Sequence, residues 1–129
     1  MDKTAQKEFL LIGLTLLIFI ILLIPALKFA RADWRDSIRR AELINLKIKL
    51  EQYNNKKGFY PIVYDASPHQ YLVINKNGDG ASKWFLRAEM ENKSKEQQGF
   101  DLENNVYFRY LSQNKKNYYD ICGGDYKCE

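Results

Sequence analysis

Three patterns of apolar and polar positions follow one another along the chain. From Phe9 to Leu27, nineteen consecutive residues carry no charge. From Asp33 to Tyr53, apolar residues recur at steps of three and four in two rows, one of Trp34, Ile38, Ala41, Ile44 and Ile48, the other of Leu43, Leu46, Leu50 and Tyr53. Arginine and lysine fill the gaps, which is the period of an amphipathic helix. Beyond Gly58 the pattern shortens to aromatic, β-prone pieces.

The first run approaches the roughly 20 residues that cross a bilayer as a helix and exceeds the roughly 7 to 15 of a secretory h-region. No small-residue cleavage site follows it, because the chain passes directly into Lys28, Phe29, Ala30 and Arg31. The run therefore reads as a retained membrane span. No glycine or proline lies between Pro25 and Gly58, so span and amphipathic stretch are predicted to form one helix from about residue 8 to 55, kinked at Pro25. Asn54, Asn55 and Gly58 supply its stop.

Four strands are predicted in the remainder: Tyr71–Ile74, Lys83–Met90, Val106–Leu111 and Tyr118–Cys122. The turn NKNGDG separates the first two, and SQNKKN links the last two as a hairpin with a six-residue connection. The polar segment from Glu91 to Asn105 reads as loop. So small a head cannot bury much core by itself, so its sheet is expected to lean on the stalk, against the face bearing Ile38, Ile44, Leu46 and Ile48. The fold class is α+β, with boundaries at 1–8 for a short leader-like segment, 9–27 for the transmembrane helix, 28–57 for the amphipathic stalk and 58–129 for a β-rich head.

Charge sharpens this picture and introduces a conflict. The net charge is +4, and residues 28–57 hold nine Lys/Arg against four Asp/Glu while residues 58–129 hold nine against ten. The basic excess thus borders the span, where it suits anionic lipid headgroups; without a recognition motif it does not predict nucleic-acid binding. Basic residues crowd the C-terminal flank of the span, which by the positive-inside rule favours a cytoplasmic head. Cys122 and Cys128, the only cysteines, argue the opposite. The loop CGGDYKC is flexible enough to close as a disulfide, and a disulfide implies an oxidising compartment. The reading taken is the one the cysteines favour: N-terminus cytoplasmic, head extracytoplasmic.

Catalytic chemistry finds no footing. The sequence shows no phosphate loop, nucleophile elbow, HExxH or paired catalytic carboxylates, and with one histidine, His69, a zinc site lacks ligands. His69 reads as a solvated loop side chain. Asn75 to Gly80 fits the first half of a calcium loop, but Leu86 stands where an EF-hand needs glutamate, so it reads as a turn. No cofactor is expected, calcium being the one ion with any support, and no enzymatic activity.

The stretch RADWRDSIRRAELINLKIKLEQYNNKKGFYP resembles the segment that follows the membrane helix in type IV pilins and type II secretion pseudopilins. There a periodic helix ends in a tyrosine, then a few polar residues, a glycine and Tyr-Pro, matched here by Tyr53, Gly58, Tyr60 and Pro61. Family members also carry a glutamate at the head of the apolar helix and a proline seventeen residues later, the separation of Glu8 and Pro25. The resemblance spans about residues 8 to 61. It implies a pilin-like fold and a structural filament subunit, with Glu8 pairing with the N-terminal amine of a neighbouring subunit. Its implied partners are membrane lipid, other pilin-like subunits, an assembly ATPase and an inner-membrane platform. The family's leader ends in glycine, is cut by a dedicated peptidase, and leaves a methylated N-terminus. Aligned on Glu8, Lys3 stands in the place of that glycine and Thr4 would begin the mature chain, which leaves cleavage and methylation open. From a different functional class, the alternative is a solitary membrane-anchored module that binds a ligand or partner.

Overall fold

The computed structural model describes residues 2 to 129, and for Asn77 the backbone alone. One helix, α1, runs from Lys3 to Lys57 with Pro25 inside it. It ends where the sequence places its stop: Gly58 takes φ 81° and donates its N–H to the carbonyl of Asn54 at 2.7 Å. That left-handed residue closes the last turn at no steric cost because it lacks a Cβ. Six strands follow: β1 (Tyr60–Pro61), β2 (Gln70–Asn77), β3 (Gly80–Met90), β4 (Gln97–Asp101), β5 (Val106–Gln113) and β6 (Lys116–Gly124). The chain is thus α+β, a long N-terminal helix packed on a small antiparallel sheet.

Two compact units divide the chain, Met1–Trp34 and Arg35–Glu129. The first is helical from Lys3 onward and exposes the apolar side chains of its Phe9–Leu27 run. The second contains the later part of α1 and the sheet, in which strands lie in the order β1-β3-β6-β5-β4, with β2 also paired to β3.

Strand alternation sorts the sheet's side chains to two faces. Trp84, Leu86, Ala88, Met90, Val106, Tyr119 and Ile121 pack with Leu43 and Leu50 of the helix, and both leucines are fully buried. The opposite face holds a second cluster of Phe85, Cys122 and Cys128, against which Tyr107 and Tyr126 pack. The buried helix positions are Asp36, Leu43, Lys47 and Leu50. This corrects the expected facing. Ile44 and Leu46 do pack on the core, but Ile38 and Ile48 remain 39% and 46% exposed. The two polar members of the buried row win their places through bonds to the sheet's loops. Lys47 Nζ, for example, donates to the carbonyls of Asn104 and Asn105, each at 3.2 Å, and pairs with Glu51.

Three further expectations change. The segment read as loop contains β4, which forms because Gln97–Asp101 pairs with β5 and Phe100 stacks on Tyr107 at 4.8 Å; pairing overrides a weakly β-prone sequence. Tyr60–Pro61 adds the short β1. The connection between β5 and β6 has two residues instead of six, since Gln113 pairs with Lys116. Asn114 and Lys115 both adopt positive φ, 51° and 63°, the geometry that matches a hairpin's twist.

Candidate functional site

The residues singled out from sequence fall in two places. Glu8 and Pro25 sit on α1 within the first unit; Cys122 and Cys128 sit in the second and are bonded to each other.

Glu8 is exposed and, among the described residues, has no ion-pair partner. Lys7 is its chain neighbour, but adjacent helical residues point about 100° apart and do not face each other. Immediately after it the apolar run presents Phe9, Leu10, Leu11 and Ile12 at 57% to 73% exposure. The most apolar window of α1 has a mean hydropathy of 3.0 and is not buried at all within the chain, so this helix is long and apolar enough to cross a membrane. A lone carboxylate at the border of such a surface is costly wherever water is scarce. Within the chain the site offers a hydrogen-bond acceptor and a large uncovered apolar surface. Pro25 lies about 25 Å further along the helix at 1.5 Å per residue. It removes one backbone donor, which frees the carbonyl of Ile21 from its usual bond.

In the second unit the disulfide fastens the C-terminal tail across the sheet face that turns away from the helix. The half-cystines are 2% and 1% exposed with Cα atoms 5.6 Å apart. Beside them Asp120, fully buried, accepts Nε and Nη2 of Arg87 at 2.7 and 2.8 Å and Nε of Arg109 at 2.9 Å. Both guanidinium groups lie 5.1 Å from the Phe85 ring centre, and Arg109 also donates to the Tyr126 hydroxyl. The hydrogen bond that Arg87 donates to Asp120 raises the pKa of Arg87 and secures its charge. Tyr126 in turn donates to the carbonyl of Glu129. The tail is thus held by a covalent bond, a stacked aromatic ring and a hydrogen-bond chain at once.

A second polar cluster fixes the sheet to α1. Asp36, 2% exposed, accepts the backbone N–H groups of Glu91 and Asn92, each at 2.9 Å, and pairs with Arg39 at 3.0 Å. Arg35 grips Glu91 through both carboxylate oxygens at 2.8 and 2.6 Å, and Arg39 adds a third bond. The carboxyl pKa of Glu91 is accordingly lowered, first by the hydrogen bond from Arg35. Sequence reading passed over this cluster; the signal available was Asp36 at the same helical phase as Leu43 and Leu50. His69 is also corrected. Its side chain is 6% exposed, with Nε2 2.6 Å from Glu42 Oε2, so it braces a loop against the helix instead of facing solvent.

Among the described residues there is no group of three or more His, Cys, Asp or Glu side chains that could hold a metal ion. The segment tested as a calcium loop is divided between strands, with Gln70–Asn77 in β2 and Gly80–Met90 in β3. Comparison with protein-family models, curated proteins and solved structures yields no match for this chain.

Proposed function

We propose that the chain is a membrane-anchored structural subunit of a pilus-like or secretion-pseudopilus filament, without catalytic activity. The observation that carries this reading is Glu8: a carboxylate with no ion-pair partner among the described residues, at the head of an apolar helical surface that the described chain leaves uncovered. In a bundle of such helices each carboxylate meets a positive group on a neighbouring copy, and the apolar surfaces cover one another. The resemblance of residues 8 to 61 to pilins, and the layout of helix on antiparallel sheet, support the same reading. By that resemblance the partners are other pilin-like subunits, an assembly ATPase and an inner-membrane platform.

The orientation proposed is N-terminus cytoplasmic and head extracytoplasmic. The disulfide supports it, since such bonds persist outside the reducing cytosol. Two of the arginines that crowd the C-terminal flank of the span have partners within the fold. Arg35 and Arg39 are engaged with Glu91 and Asp36, so the fold gives them a reason to be there that is independent of topology.

The test is Glu8→Leu. The variant is expected to insert in the membrane at wild-type levels and to be depleted from sheared filaments. A solitary anchored binding module would show no change, and a variant that enters filaments normally would remove the assembly role.

A further inference from the structure

The head is close to neutral as a whole, yet its two ends differ in charge. One end is where the helix enters the sheet unit: Arg35 and Asp36 bond Glu91 and Asn92 at the close of β3. The strand register brings the β5–β6 turn to the same end, since Met90 stands opposite Asn117 and Lys116 reaches Glu89 at 2.9 Å. The β3–β4 loop is held there too, with Glu96 accepting the N–H of Ser112 at 3.3 Å. These two connections carry Lys93, Lys95 and Lys115, all exposed and, among the described residues, in no ion pair. The carboxylates around them are mostly engaged: Glu91 by Arg35 and Arg39, Asp36 by Arg39, and Glu89 by Lys116, which leaves Glu96 with a backbone donor only. At the opposite end the β2–β3 and β4–β5 turns carry Asp79 and Glu103 and no lysine or arginine.

We infer that the basic end of the head is a contact surface for the anionic lipid headgroups of the membrane that holds the chain. The inference rests on the membrane-anchored reading and is independent of filament assembly. Chain connectivity selects the partner. The apolar run ends at Leu27 and the sheet unit begins eight residues later at Arg35, and eight residues span at most about 29 Å even when extended. Whatever angle the two units adopt, the end that carries the three lysines is the part of the head kept nearest the headgroups. The tether makes the contact effectively intramolecular, so a few lysines suffice, each favouring an anionic surface roughly fivefold. Asp79 and Glu103 at the far end are repelled by the same surface, so the contact also orients the head. These loops contain no nucleic-acid recognition motif, and nothing tethers a nucleic acid beside them.

The full-length chain in lipid vesicles tests this, made either of phosphatidylcholine alone or of phosphatidylcholine with an equal share of phosphatidylglycerol. A fluorophore on Gln113→Cys at the basic end, or on Leu102→Cys in the opposite turn, reports closeness to headgroup-spin-labelled lipid by quenching; both positions are exposed, and the native cysteines are paired. The Gln113 label is expected to be quenched in anionic vesicles and not in neutral ones, and the Leu102 label in neither. Each of Lys93→Gln, Lys95→Gln and Lys115→Gln should lower the ratio of docked to undocked heads roughly fivefold, and the triple variant should lose the dependence on lipid charge. Salt at about 1 M should release the head, because screening then acts within about 3 Å. Quenching that ignores lipid charge, or that persists in the triple variant, overturns the inference. Capture of a short DNA duplex through these lysines in neutral vesicles, without charge-dependent quenching, assigns the surface to nucleic acid and overturns it as well. A chain that washes off the vesicles at alkaline pH removes the membrane-anchored reading together with the inference, whereas one that stays embedded with charge-independent quenching removes the lipid contact alone.

Discussion

Asp36→Ala isolates what fastens the sheet to α1. The carboxylate accepts two backbone N–H groups, those of Glu91 and Asn92, and balances Arg39, all at 3.0 Å or less while 2% exposed. Truncation leaves two part-buried backbone donors unpaired at the end of β3. With charge-assisted bonds at about 1.5 to 3 kcal/mol each, the expected loss is roughly 3 to 5 kcal/mol. Asp36→Asn keeps one acceptor oxygen and should lose about half of that. The assay is urea unfolding in mild detergent, followed by the fluorescence of Trp84, which is fully buried in the core. A Trp34→Phe background removes the other indole, which is 67% exposed. A loss below about 1 kcal/mol for Asp36→Ala, or an Asn variant as stable as wild type, would refute the claim that this carboxylate fixes the strand end.

Two shorter predictions follow from the same clusters. Replacing Cys122 and Cys128 by serine should cost about 2 kcal/mol, since so short a loop lies at the low end of the chain-entropy scale; in the wild type both thiols should resist alkylation until reduced. Glu91 is lowered below its ordinary value of 4.5 by Arg35, so its stabilising contribution is present above pH 4.5 and is lost as pH falls through the lowered value. Wild type should consequently lose stability more steeply than Glu91→Gln below pH 4.5, as read by unfolding midpoints across an acid series.

The single helix and four of the strands were legible because period and stop signals agreed there, and the disulfide was legible because only two cysteines exist. Which helix row the sheet covers was not. Counting apolar residues favoured Ile38 and Ile48, while the row that is buried includes Asp36 and Lys47, whose partners are backbone groups more than fifty residues away. Nothing local announces such partners. The strand β4 was missed for the same reason, since QQGFD becomes a strand through its pairing with β5. The Asp120 site depends on register: Arg87 and Arg109 both stand opposite Asp120 across neighbouring strands, a coincidence that no linear spacing reveals. At Glu8 the sequence supplied the residue and its neighbours, and the structure added that no other described residue of the chain neutralises it.

The central claim is that Glu8 meets a positive group on another copy, and carbodiimide cross-linking of isotopically mixed copies tests it most directly. Light and heavy chains are co-expressed, assembled, treated to join carboxylates to adjacent amines, and the Glu8 peptides are read by mass spectrometry. The account predicts Glu8 peptides joined to N-terminal amine-bearing peptides of the opposite isotope. Links confined to one isotope, as Lys7 of the same chain would give, or no links from Glu8 at all, would contradict it.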